Sequence, residues 1–474
     1  MTRANWDVII IGAGAVGENV ADRIIQGGLS AVIVESELVG GECSYWACMP
    51  SKALLRSGIA LRAAQAVDGA RQAVTGTLDI AAVFARRDSF TSNWKDDGQV
   101  DWLNGAGIDL LRGHARLTGR LEATVTEPDG TVTAISANHA IVVSTGSSAL
   151  LPDIPGLADI APWTSREATS ATHAPASLTI IGGGVVAAEM ATAYATLGTA
   201  VTVVARSGLL GTQEPFAGEL VSEALTALGA TMLTGVSPTS ARLEGGESVL
   251  ELDDGSTLRS ETVLVATGRI PRTEDLGLET VGLTAGDWLR TDDTLLVTGT
   301  DWLYATGDVN HRALLTHQGK YQARAAGDVI VARAAGTPVA DAAWGAHVAT
   351  ADHRAVPQVT FTDPEVASIG LTAAAAEKAG YETRVIDYEL GSIAGASLHA
   401  DGYRGKARMV VDEKRRVLLG VTFVGQDVSE LLHAATIAVV GEVPLDRLWH
   451  AVPAYPTMNE IWLRLLETYG RESA

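Results

Sequence analysis

One local pattern occurs twice in this chain and constrains its fold more than any other feature. A short β-branched run leads at once into a glycine-rich turn, then a helical stretch, then a second buried run. The first copy reads Asp7-Val8-Ile9-Ile10-Ile11, then Gly12-Ala13-Gly14-Ala15-Val16-Gly17, then a helical stretch over 18–26. It closes with Ala31-Val32-Ile33-Val34 and Glu35. Apolar runs without polar alternation are strands buried on both faces, as in a parallel sheet. Each glycine has a physical task. Gly12 makes the tight turn, Gly14 lets backbone approach a pyrophosphate, and Gly17 lets helix and strand pack closely. The phosphates then meet the positive end of a helix. Glu35 stands 18 residues past Gly17, where a carboxylate accepts from a ribose hydroxyl.

The second copy reads Ser177-Leu178-Thr179-Ile180-Ile181, then Gly182-Gly183-Gly184-Val185-Val186-Ala187, then a helix carrying Glu189 and a strand over 200–204. Ala187 takes the place of the third glycine. An acid normally ends the second strand of such a unit and holds the 2′-hydroxyl. Here that place is Ala205, with Arg206 beside it. A guanidinium without the acid suits a 2′-phosphate, so NADPH is expected over NADH. The plain alternative for Arg206 is a surface charge. Two such units imply two bound dinucleotides.

Composition narrows the partners. At 474 residues the chain is long enough for about three domains. With 47% hydrophobic and 19% charged residues it is a packed globular protein. Its 56 acidic against 35 basic residues give a net charge of −21. That field opposes nucleic acid and anionic membrane, so neither is expected as a partner. No apolar run approaches the ~20 residues of a membrane helix. The six residues up to Trp6 are short for a signal peptide, and a cytoplasmic protein is expected.

The chain holds two cysteines, and both fall in Gly40-Gly41-Glu42-Cys43-Ser44-Tyr45-Trp46-Ala47-Cys48-Met49-Pro50-Ser51-Lys52. A distorted first helical turn brings such a pair within bridging distance, and a helix N-terminus favours the thiolate. A metal site would want further cysteines, so no metal is expected. A redox-active pair and two buried structural thiols remain as readings, and the adjacent dinucleotide turn favours the first. Tyr45 and Trp46, between the cysteines, either shape the approach to them or pack.

This segment resembles the disulfide-reductase flavoproteins, which include dihydrolipoamide dehydrogenase, glutathione reductase, mercuric reductase and soluble pyridine nucleotide transhydrogenase. Their usual sequence is Gly-Gly-Thr-Cys, four residues, Cys, one residue, Pro-Ser-Lys. The chain keeps Gly40, Gly41, Cys43, Cys48, Pro50, Ser51 and Lys52, and departs at Glu42, Tyr45-Trp46 and Ala47. The resemblance implies FAD on the first unit, with Cys48 facing the flavin and Cys43 exchanging with substrate. It implies that Lys52 lies near the flavin N5 and pairs with Glu189. Val142-Val143-Ser144-Thr145-Gly146 and Val263 to Gly268-Arg269 resemble the family's crossings between domains. Tyr304-Ala305-Thr306-Gly307-Asp308 resembles its second flavin motif, with Asp308 on the ribityl hydroxyls. Gly113-His114-Ala115 matches its adenine-side strand. His317, on the helix that follows, receives no role.

The C-terminal third has no glycine-rich nucleotide turn. Its counterpart in the family is a dimerisation domain, with a central strand over 417–425 and a helix over 428–440. The expected fold is therefore α/β. It has two Rossmann-like dinucleotide-binding domains, for FAD and NAD(P), and an α+β C-terminal dimerisation domain. The expected order is FAD-binding 1–153, NAD(P)-binding 154–273, FAD-binding again 274–347, and dimerisation 348–474. The resemblance implies a homodimer whose active site is shared across the interface.

One segment departs from the family. Its thiol-reducing members end in His-Pro-Thr with Glu five residues after the His, and that His is the general base. Here the run is Ala454-Tyr455-Pro456-Thr457-Met458-Asn459-Glu460. Glu460 aligns, but the His position is Tyr455. A phenol near pKa 10 is a poor base at neutral pH, though it can donate to an oxygen or a reduced quinone. His450 is a second candidate base or an ordinary polar residue. The chain is thus expected to be an NAD(P)H oxidoreductase that passes hydride equivalents through flavin to a Cys43–Cys48 disulfide and on to a small-molecule acceptor. Quinone reduction or nicotinamide transhydrogenation at the flavin is the alternative that needs no histidine. A low-turnover flavin redox sensor is a further one.

Overall fold

A computed structural model describes residues 4–471; the outermost residues of the expected first and last domains lie outside this range. The chain divides into two compact units. The first comprises Met1–Pro50, Asp88–Leu150 and Arg269–His353; the second comprises Ser51–Arg87, Leu151–Gly268 and Arg354–Ala474.

The first unit is built on one sheet. Strand Ala4–Ile11 lies at its centre, with Ala31–Glu35 and then Asp109–Arg112 on one side and Val132–Val143 on the other. These pairs are parallel. Leu303–Ala305 adds in parallel beside Val132–Val143, and Glu122–Thr126 and His114–Gly119 continue antiparallel. Val8, Ile9, Ile10, Val32 and Ile33 have no exposed surface. Burying each such side chain stabilises the unit by roughly 1.5–3 kcal/mol, which is why the strand takes the β-branched run. The strand begins earlier than its apolar run, at Ala4, and its register shifts between Trp6 and Val8. Asp7 sits in that shift and accepts from the backbone N–H and hydroxyl of Ser30. Strand order reverses at Ala4–Ile11, because Ala31–Glu35 and Asp109–Arg112 lie on one side of it and the later strand Val132–Val143 on the other. Such a switch point opens a crevice at the carboxyl ends of the strands, where open α/β sheets bind ligands.

The second unit holds a parallel sheet in the order Thr231–Thr234, Ala200–Ala205, Ser177–Ile181, Thr262–Val265. A three-stranded antiparallel sheet, 238–260, accompanies it. The C-terminal part is a five-stranded antiparallel sheet ordered Gln358–Thr360, Glu365–Gly370, Val417–Gly425, Lys406–Asp412, Thr383–Glu389. Val417–Gly425 is buried along its whole length, as the central strand of a covered sheet must be. The helix expected over 428–440 is divided. Val428–Leu431 is a 3₁₀ turn, and Leu432–Val440 is α-helix. Asp427 takes a left-handed conformation at φ 55°, and Glu365 accepts from the Ser429 N–H, which holds the tighter turn. Among the described residues no helix is long and apolar enough to cross a membrane.

Candidate active site

The first glycine turn is fixed by backbone. Gly12 donates its N–H to Val34 O at 2.8 Å, with φ at +103°. A Cβ there would stand 2.5 Å from Ser144 O. Gly17 packs in the same way, because a Cβ would stand 2.0 Å from Gly12 O. Glu35 ends the second strand, as expected. Its carboxylate accepts from Ala13 N–H at 2.6 Å and from Glu37 N–H at 2.7 Å. Burial nevertheless holds the Glu35 carboxyl above its ordinary range.

The cysteine segment docks on this turn. Gly40 donates to Ala13 O at 2.7 Å, and Gly41, at φ +61°, comes so close to Gly14 that a Cβ would meet its Cα at 2.7 Å. Cys43 lies in the short helix Gly41–Tyr45, and Cys48 begins helix Cys48–Gln65. The break between them is at Trp46, whose φ is −135°. Two helices with a kink, rather than one distorted turn, thus bring the sulfurs together. Both cysteines are thiols here and hydrogen-bond to each other. That bond, with burial, pushes the Cys43 thiol up. Thr316, first residue of helix Thr316–Ala334, places its Oγ1 3.3 Å from Cys48 Sγ and hydrogen-bonds Cys43 as well. Tyr45 is buried and donates to Val39 O at 3.0 Å, so this aromatic packs; burial pushes its phenol up to about 12.

One cavity in the first unit gathers these groups. Gly12, Gly14, Glu35, Cys43, Ala115, Thr145, Gly146, Asp308 and Thr316 all line it. Asp308 follows strand Leu303–Ala305 and accepts from Ser147 Oγ at 2.6 Å. Arg269 donates to the same Ser147. Glu42, the departure beside Cys43, pairs with Arg272 at 2.7 Å, and Glu37 meets the same guanidinium at 3.3 Å. That ion pair offsets a carboxylate that would otherwise add charge to a cavity suited to phosphate. The cavity also holds an unmet need: Thr145 Oγ1 is buried with no hydrogen-bond partner among the described residues. Bare glycine backbone, a helix N-terminus, two acids and an orphaned hydroxyl together fit a dinucleotide.

The second unit has its own constellation. Gly182, at φ +134°, leaves no room for a Cβ, which would stand 2.3 Å from Ala266 O. Gly184 precedes helix Val185–Thr196, and Ala187 is fully buried within it. Arg206 lies exposed just beyond strand Ala200–Ala205. Gly268 turns the crossing chain at φ +156°. Lys52 Nζ pairs with Glu189 Oε2 at 2.8 Å and Oε1 at 3.1 Å. Glu189 is buried and also accepts from Phe361 N–H at 3.0 Å, while the Lys52 ammonium lies 4.8 Å from the Phe361 ring centre. Near the C-terminus Tyr455 is 76% exposed. Glu460 is buried, and with no histidine to orient it accepts from Gly395 N–H at 3.0 Å. His450 is exposed and donates its backbone N–H to Arg447 O.

Residues 6–332 match the family model for pyridine nucleotide-disulphide oxidoreductase, and residues 356–465 match the dimerisation domain of the same family. The chain belongs to this family. It is an oxidoreductase of a family that binds FAD and NAD(P)H. A mercuric reductase of Staphylococcus aureus is 30% identical over 462 residues, 96% of this chain and 81% of that protein. A dihydrolipoyl dehydrogenase of Chlorobaculum tepidum is 31% identical over 96% of this chain and 95% of its own length. Among solved structures, the HOCl-induced flavoprotein disulfide reductase RclA of Escherichia coli superposes with a TM-score of 0.83 at 21% identity, covering 98% of this chain and 99% of that one. At that identity the likeness speaks for the fold alone.

Sequence reasoning missed Thr316, Arg272 and Phe361. Thr316 stands eight residues past Asp308 in an unremarked helix start. Arg272 and Phe361 carry no motif, and only three-dimensional contact reveals them.

Proposed function

We propose that this protein is an FAD-dependent NAD(P)H oxidoreductase that passes hydride equivalents to a Cys43–Cys48 disulfide and on to a small disulfide or other thiol-reactive acceptor. The observation that carries this is the placement of Cys43 on the same cavity wall as the glycine turn, with Cys48 in hydrogen-bonding reach. When bound, FAD supplies the two-electron chemistry that links a reduced nicotinamide to a disulfide. Gly12, Gly14 and Gly17 shape the pyrophosphate cradle. Glu35 takes the ribose, Ala115 lies on the adenine side, and Thr145, Gly146 and Asp308 hold the flavin end. Thr316 orients the two sulfurs. Lys52, fixed by Glu189, sits near the flavin N5. Gly182, Gly184, Ala187 and Gly268 form the nicotinamide fold, and exposed Arg206 favours NADPH by meeting its 2′-phosphate. The dimerisation segment supports a homodimer with a shared active site, to which Tyr455 and Glu460 contribute from the C-terminus.

Tyr455 supports a second reading: a quinone reductase or pyridine nucleotide transhydrogenase acting at the flavin, since neither needs a thiol base. Cys43→Ser separates the two. In the first, NADPH-driven turnover with disulfide or thiol-reactive acceptors falls to background while transhydrogenation persists. Undiminished disulfide turnover in the variant would overturn the first reading.

A further inference from the structure

Two helix starts meet beside the cysteines. Gly319 lies so close to helix Ala15–Gln26 that a Cβ there would stand 2.5 Å from Val16 Cγ2. The first turns of helices Ala15–Gln26 and Thr316–Ala334 are therefore pressed together. Thr316 touches Cys48, and Lys320 lies one turn further on the same helix face. Glu18 belongs to the first turn of the opposing helix. It is 8% exposed, and its Oε1 has no hydrogen-bond partner among the described residues. A buried, unsatisfied carboxyl is costly and calls for an explanation. Burial holds Glu18 up at about 7, with Lys320 opposing that shift and Glu35 reinforcing it. Lys320 also acts on Cys43, against the influences that push the thiol up. The other groups facing the cluster are Glu35, from strand Ala31–Glu35, and Tyr45, from helix Gly41–Tyr45. Tyr45 keeps its proton across the neutral range.

We propose that Lys320 is the counter-cation of the Cys43–Cys48 couple and Glu18 its proton acceptor, so that the sulfurs gain and lose charge within one chain and without a histidine. The idea rests on the redox reading above. Both are positioning residues that act through the sulfurs. With the disulfide formed, the Lys320 ammonium faces the Glu18 carboxylate. NAD(P)H, in becoming NAD(P)⁺, gives two electrons and one proton, and a second proton is taken up from the bulk solvent, to which it later returns. The electrons break the S–S bond. One sulfur takes a proton, Glu18 takes the other, and Lys320 faces the sulfur that stays anionic. Oxidation by the acceptor re-forms the S–S bond and releases both protons.

The test is the rate–pH profile of iodoacetamide alkylation on the holoenzyme after anaerobic reduction with NADPH, because the thiolate is the reacting form. Lys320→Met is expected to slow alkylation about tenfold at pH 7, the effect of one pH unit in midpoint, and Lys320→Arg to restore it. Glu18→Gln is expected to do the opposite and speed alkylation above pH 7, where wild-type Glu18 ionises and shares Lys320, and to leave it unmoved below pH 7. A merely structural role would not give opposite signs. Unmoved profiles, or profiles that move the same way, would overturn the proposal. Each variant is read alone, so Glu18→Gln decides the matter where Lys320→Met does not fold. A wild-type enzyme that yields no alkylatable thiol after NADPH would instead overturn the redox reading and this proposal with it.

Discussion

Replacing Gly12 with alanine tests the cradle at its tightest point. At φ +103° an L-residue is strained by about 1–2 kcal/mol. The new methyl would also stand 2.5 Å from Ser144 O and 2.8 Å from Ser144 C. Neither atom moves freely, because Ser144 N–H is bonded to Ile11 O and Gly12 N–H to Val34 O, each at 2.8 Å. Overpacking of this kind adds about 1–3 kcal/mol. The turn can relieve the clash only by tipping into the cavity, so the cost falls on the ligand. A total of about 2–5 kcal/mol weakens FAD binding between roughly thirty-fold and a few thousand-fold. Gly146→Ala is the internal control. Gly146 lines the same cavity at φ +73°, yet a Cβ there meets nothing within 4 Å, so it carries strain alone and loses about 5- to 30-fold. The assay is FAD per polypeptide after purification, followed by fluorescence titration of apoprotein with FAD. A Gly12→Ala protein that holds FAD as tightly as wild type, or no worse than Gly146→Ala, would refute the reasoning.

Two further substitutions test the second unit. Glu189→Gln removes the charge that Lys52 pairs with while keeping the shape that accepts from Phe361 N–H. Because Lys52 is 35% exposed and water compensates in part, the loss is about 1–3 kcal/mol in urea unfolding; an unchanged midpoint and slope would contradict it. Arg206→Ala should raise the KM for NADPH about 10- to 100-fold, the worth of a charged hydrogen bond, and leave that for NADH unmoved. Equal effects on the two nucleotides would show that Arg206 is only a surface charge.

The glycine turns were legible because each obeys a local rule that no distant contact can override. Gly12 and Gly182 both turn at positive φ against a backbone carbonyl across the sheet, and only glycine fits there. The Cys43–Cys48 pair was legible from spacing and from the absence of other cysteines. The kink at Trp46 was not, because it depends on how Gly41 seats against Gly14. Thr316, Arg272 and Glu18 escaped notice for a different reason. A threonine or a glutamate in a helix start, or an arginine just past a short strand, is ordinary in sequence, and its meaning comes only from the sulfur, lysine or carboxylate that folding brings to it. The helix expected from Val428 began four residues late because a left-handed Asp427 and the Glu365 carboxylate favour a tight turn over periodicity.

The central claim is that electrons from the nicotinamide reach the cysteine pair. Anaerobic titration of the purified protein with NADPH, followed through its visible spectrum, tests this most directly. Uptake of two reducing equivalents of hydride, with a long-wavelength band from a cysteine thiolate against the oxidised flavin after the first, is the result this account predicts. Complete bleaching after one equivalent without that band would contradict it, and would leave Cys43 and Cys48 as bystanders.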